Sequence, residues 1–112
     1  TVNGSTFSSN SADVQGGAIF NIGPALIGAS LLRFNQATDG GGAIVHESST
    51  MSLTNSTLLD NMTDGSGAGI IARALTTDSL LSLLETEVIS NVAAINGGGL
   101  YNSASNGLVS RV

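Results

Sequence analysis

The stretch GGAIFN, residues 16–21, returns as GGAIVH at 41–46, GAGIIA at 67–72 and GGGLYN at 97–102. A fixed internal period decides architecture before any local propensity is weighed. Asparagines anchor this one. Six residues after Asn10, Asn35, Asn61 and Asn91 come Gly16, Gly41, Gly67 and Gly97, and nine after come Ile19, Ile44, Ile70 and Leu100. Three before the anchors stand Phe7, Leu32, Leu58 and Val88; eight before stand Val2, Ile27, Leu53 and Leu83. Five positions agree in four copies, too many for chance.

Ankyrin or tetratricopeptide repeats need longer units and an amphipathic helical period. Here the segments between bends are short and rich in Ser, Thr, Val, Ile and Gly, residues that suit strands and weaken helices. Only DSLLSLLETEVI, residues 78–89, has helical propensity, and its register with Leu53 and Leu58 argues for strand. A repeat of about 25 residues holding three short strands makes one turn of a parallel β-helix, with strands of successive turns about 4.8 Å apart. Each residue then lies over its equivalent one turn earlier, and like stacks on like. The expected fold is all-β, a right-handed parallel β-helix (β-solenoid) of about four coils of 25–31 residues. Residues 1–112 form a single domain, with coils at approximately 1–25, 26–50, 51–79 and 80–106, and 107–112 beginning a further coil.

The anchors have a physical purpose in such a stack. A carboxamide offers two donors and two acceptors. Asn10, Asn35, Asn61 and Asn91, turned inward, bond one another and the bend backbone as a structural ladder. Three Asn-x-Ser/Thr sequons occur, at Asn3, Asn55 and Asn61. Burial of Asn61 in the ladder leaves Asn3 and Asn55 as the glycosylation acceptors the sequence permits. Phe20, Val45, Ile71 and Tyr101 follow the inward aliphatics, so they are expected to point outward as an apolar strip, covered by a loop or neighbour, or else free to bind.

FSSNSADVQGGAIFN, residues 7–21, carries the F-x-x-N and G-G-A-I signatures and resembles the repeats of the chlamydial polymorphic membrane proteins. GGGLYNS and LTNSTLLDN are similar to repeats of bacterial and archaeal surface proteins with β-helix regions. Leu32, Leu58 and Val88 replace the signature Phe in later copies, and GAGI replaces GGAI at Gly67. The resemblance implies a right-handed solenoid on an extracellular scaffold or adhesin, and carries over no catalytic residue.

Composition narrows the chemistry. There is no lysine, and three arginines stand against eight carboxylates, a formal charge of -5. Nucleic acid, which needs clustered cations, is not an expected partner, and an anionic membrane surface is disfavoured for the same reason. Cysteine is absent. No apolar run reaches the length that spans a bilayer, so no membrane insertion is expected in this segment.

Parallel β-helices can also cleave acidic polysaccharides, which takes converging carboxylates with Ca²⁺ or a cation. Asp13 and Asp64 share a repeat position, but Thr38 and Ala94 fill it in the other copies; Glu85, Glu87 and Asp60 form no triad. His46 beside Glu47 reads as a surface turn, since zinc needs three or four ligands. Asp39 and Asp64 precede the glycines that a calcium nonapeptide would place first. Thr54, Ser56, Thr57 and Thr86 keep no constant register of the kind an ice-binding face needs. No catalytic residue, cofactor or metal ligand is therefore assigned.

The expectation is a structural or adhesive extracellular or cell-surface element, not an enzyme, acting as a self-stacking filament subunit or a segment of a longer surface protein. A polysaccharide-binding or polysaccharide-cleaving module is the alternative. Copies of the chain, head to tail, are the expected partners, with surface glycans or other surface proteins beyond them. Written tail before head, Val112, Val2 and Phe7 fall at the offsets of Leu81, Leu83 and Val88, so one unit's end completes the coil opened by the next.

Overall fold

A computed structural model describes residues 1–74 and 79–103 and the backbone of 108–110. Coil 1 holds β1 (Val2–Asn3), β2 (Thr6–Ser8), β3 (Ser11–Ala12) and β4 (Ile19–Ile22). Coil 2 holds β5 (Ala25–Gly28), β6 (Leu31–Arg33), β7 (Gln36–Ala37) and β8 (Ile44–Glu47). Coil 3 holds β9 (Thr50–Thr54), β10 (Thr57–Leu59), β11 (Met62–Thr63) and β12 (Ile70–Arg73). Coil 4 holds β13 (Leu80–Leu84), β14 (Glu87–Ile89), β15 (Val92–Ala93) and β16 (Leu100–Asn102), and β17 (Leu108–Ser110) opens the next.

Every strand pairs in parallel with its equivalent one coil away. The first sheet runs β1-β5-β9-β13-β17, the second β2-β6-β10-β14, the third β3-β7-β11-β15 and the fourth β4-β8-β12-β16. The molecule is an all-β parallel solenoid of about four turns. The passage with helical propensity is β13 and β14, because Leu83 and Val88 must stack on Leu53 and Leu58.

Register follows the repeat. Val2, Ile27, Leu53 and Leu83 are successive partners; so are Phe7, Leu32, Leu58 and Val88, and Ile19, Ile44, Ile70 and Leu100. These three columns fill the interior, where Leu32, Ile44, Leu53, Leu58 and Ile70 are wholly buried. Each coil carries four strands where three were expected. The additional one is the two-residue strand between the asparagine and the glycine, too short to show an alternating pattern.

Left-handed corners divide the coil. Gly4, Ala29, Asn55 and Glu85 have φ of 58, 45, 49 and 49°, and end the first sheet. Ser9, Phe34, Asp60 and Ser90 have φ of 58, 55, 52 and 53°, and end the second. A non-glycine residue there costs about 1 kcal/mol or more. The amides of these corners bond the next coil: Ala29 N–H reaches Thr54 O at 3.0 Å and Phe34 N–H reaches Leu59 O at 3.1 Å. The third corner is stricter. A Cβ on Gly67 (φ 65°) would stand 2.6 Å from Ile70 O, so glycine is required there.

At the tail, Leu81 pairs with Val109, and Ser82 with Ser110. The expected junction assigned Val112 to the level of Leu81. Three fewer residues are used to enter the fifth coil, so continuation into a following copy at the expected offset does not hold. Val112 itself lies outside the described residues.

Candidate functional site

Each anchor asparagine directly follows a left-handed corner, which turns its side chain inward. Asn35 N–H and Nδ2–H both donate to Asn61 Oδ1, at 3.0 and 2.9 Å. Asn61 N–H and Nδ2–H donate in the same way to Asn91 Oδ1, at 3.0 and 2.8 Å, and Asn10 donates twice to Asn35 Oδ1. The second Nδ2–H runs backward: Asn35 donates to Phe7 O, Asn61 to Leu32 O and Asn91 to Leu58 O. A middle rung thus satisfies both donors and both acceptors of its carboxamide. Asn35 and Asn61 have no exposed surface, Asn91 is half-buried and Asn10 is exposed.

A second polar column runs five residues earlier: Ser5, Ser30, Ser56 and Thr86. Ser5 N–H donates to Ser30 Oγ and Ser30 N–H to Ser56 Oγ, both at 3.2 Å. The hydroxyls donate to the carbonyl two residues back, Ser30 to Gly28 O and Ser56 to Thr54 O, at 2.7 and 3.0 Å; Thr86 does the same to Leu84 O. Aligning Ser and Thr on the anchors, five residues before each, would have found it.

A third inward column is irregular: Asn21, His46, Ala72 and Asn102 are successive partners. His46 is fully buried and Glu47 nearly so, which corrects their reading as a surface turn. The strand continues through them before it bends at Ser48 (φ 50°). Asn21 Nδ2–H donates to His46 Nδ1 at 3.1 Å and to Gly23 O at 2.7 Å, while His46 Nε2–H donates to Ser49 O at 2.9 Å. These partners fix the neutral imidazole with its proton on Nε2. Burial pushes the His46 pKa below 6.5, against the raising effects of its bond to Ser49 and of the Glu47 charge.

The strip of Phe20, Val45, Ile71 and Tyr101 keeps its expected register on the outer side of the fourth sheet. Its exposure does not follow: Val45 is 0% and Ile71 5% exposed, and only Phe20, at 46%, is open. Both buried side chains pack on the glycine corner, Val45 against Gly41 and Ile71 against Gly40 and Gly67. Arg73, at the end of β12 in coil 3, links the coils beside them. It pairs with Glu47 of coil 2, donates to Gln15 Oε1 of coil 1 at 2.7 Å, and lies 6.0 Å from the Phe20 ring centre. The buried part of the strip is packed on the glycine corner, and the Arg73 ion pair ties coil 3 to coil 2.

Among the described residues no three His, Asp or Glu stand together as a group that could hold a metal ion. Asn3 and Asn55 of the sequons are exposed, and Asn61 is buried. Beside Asn3 a shallow open groove of about 250 Å³ runs over the first sheet, lined by Leu26, Ser52 and Thr54.

Residues 4–22 match the model of the Chlamydia polymorphic membrane protein (Chlamydia_PMP) repeat. The matched segment is most of coil 1, from its first left-handed corner through the Asn10 rung to the end of β4. It contains both signatures that carried the resemblance, and the solenoid around it is the fold that the resemblance implies. No curated protein and no solved structure matches the chain.

Proposed function

We propose that this chain is a structural, non-enzymatic β-solenoid element of a cell surface or extracellular scaffold, and that its coils stack end-on with those of further copies. One observation carries the reading. The asparagine ladder is directional, and its end rungs are complementary. Among the described residues Asn10 Oδ1 accepts nothing, while in every other rung that atom accepts two bonds. At the other end Asn91 N–H and one Nδ2–H have no acceptor among the described residues. A coil laid on either end meets the partner atoms it needs, as do the open strand edges of the second and third sheets beside it. The matched repeat belongs to a family named for membrane proteins, which supports a surface location.

Electron microscopy with sedimentation tests the stacking. The expected result is rods in which each copy adds about 19 Å, four strand spacings, and which shorten in Asn10→Leu. Monomers at every concentration, with native circular dichroism, would reject it. Incubation with acidic polysaccharides, with and without Ca²⁺, tests the non-enzymatic part. Cleavage lost in Asp60→Asn or Asp64→Asn would establish the enzymatic alternative, and glycan binding lost on substituting Leu26 or Ser52 would place a ligand in the groove of the first sheet.

A further inference from the structure

The columns on either side of the asparagine corner face outward, and their character changes along the stack. In coils 1 and 2 they are polar: Ser8 and Arg33 on the second sheet, Ser11 and Gln36 on the third. In coils 3 and 4 they are apolar: Leu59 over Ile89, and Met62 over Val92. Ile89, Met62 and Val92 are 44, 48 and 62% exposed. The fold does not require this, since the same positions are filled by serine, arginine and glutamine two coils earlier. Just inside the edge the Asn61–Asn91 rungs hold the backbone rigid, so little ordering remains to oppose association.

We propose that two copies pair side by side and antiparallel through this edge, about a two-fold axis lying in the interface, perpendicular to the stack and level with the gap between coils 3 and 4. The pattern is self-complementary about that axis. Such a rotation exchanges coil 3 with coil 4 and keeps each column facing its own kind. Leu59 meets the second copy's Ile89, and Met62 meets its Val92, each twice. The exposed carboxylates also find hydroxyls: Asp60 faces Ser90, and Glu87 faces Thr57. An axis through coil 3 itself would set Asp60 against Asp60, and a parallel pair would set each column of the second sheet against the third. The edge is small, so the pair belongs with weak interfaces.

Disulfide trapping tests this, and the chain contains no cysteine to interfere. Leu59→Cys and Ile89→Cys are made separately, one is isotope-labelled, and the two are mixed and oxidised. The expected product is the mixed 59–89 dimer, in clear excess over dimers of either variant alone. Adding Met62→Gln, the residue type already present at Gln36, lowers its yield about tenfold through lost apolar contact, with unchanged circular dichroism. Equal trapping of either variant with itself, no dimer, or a yield indifferent to Met62→Gln would each overturn the proposal. End-on stacking brings coil 4 against coil 1 and cannot make the 59–89 link, so its failure and this one are read separately.

Discussion

Two inward polar columns cross the same stack and are built on opposite rules. The column of Asn10, Asn35, Asn61 and Asn91 is uniform, and each rung's donors meet the acceptor of the next. The column of Asn21, His46, Ala72 and Asn102 is mixed, and its polar members lean on bend carbonyls, Gly23 O for Asn21 and Ser49 O for His46. Identical residues at a fixed rise form one continuous network, whereas the mixed column makes one bond between coils, Asn21 to His46, and breaks off at Ala72. Damage to the uniform column should therefore spread along the stack, and damage to the mixed one should stay within coils 1 and 2.

The largest effect is expected from Asn61→Leu. It removes the acceptor of two Asn35 donors, takes the side-chain donor away from Leu32 O, and leaves Asn91 Oδ1 with only the backbone N–H of residue 61, at a buried site. A loss of about 3–5 kcal/mol is expected in urea unfolding. Asn10→Leu, at the exposed rung, should cost about 1 kcal/mol or less. Equal costs at the two positions would show that the ladder does not act as a buried network.

The mixed column should respond to acid. His46 has its pKa lowered in the fold, so below pH 6.5 the unfolded chain binds the proton more readily. Its contribution is complete above 6.5 and is lost as pH falls through the lowered folded value. Protonation at Nδ1 would also set a new donor against Asn21 Nδ2, costing that residue its bond to His46 or to Gly23 O. Urea midpoints should fall between pH 7 and pH 5 in the native chain and fall less in His46→Ala, the residue coil 3 carries as Ala72. Parallel curves would mean that His46 titrates alike folded and unfolded.

A smaller effect than that of Asn61→Leu probes the serine column, a second uniform set with weaker bonds. Ser56→Ala leaves the buried Ser30 N–H unpaired and should cost about 1–2 kcal/mol. A neutral result would mean that water replaces the hydroxyl.

Sequence legibility follows the same division. Anchors that recur at one offset exposed the three apolar columns and the asparagine ladder, because stacking makes equivalent residues meet equivalent surroundings. The two-residue third-sheet strands were illegible, since Ser11–Ala12 or Met62–Thr63 is too short to show a period. His46 read as a turn because nothing in its repeat position is uniform; only the extent of β8 places it inside. The burial of Val45 and Ile71 was illegible for another reason. Ile71 packs against Gly40 of the preceding coil, an arrangement no single repeat unit encodes.

Hydrogen exchange of the buried asparagine carboxamides themselves, followed by nuclear magnetic resonance, reports whether they are bonded rung to rung. The Nδ2 protons of Asn35 and Asn61 are expected to exchange as slowly as the backbone amides of Leu32 and Leu58, while those of Asn3 and Asn55 exchange at the rate of free amides. Fast exchange at Asn35 and Asn61, with the backbone still protected, would contradict it.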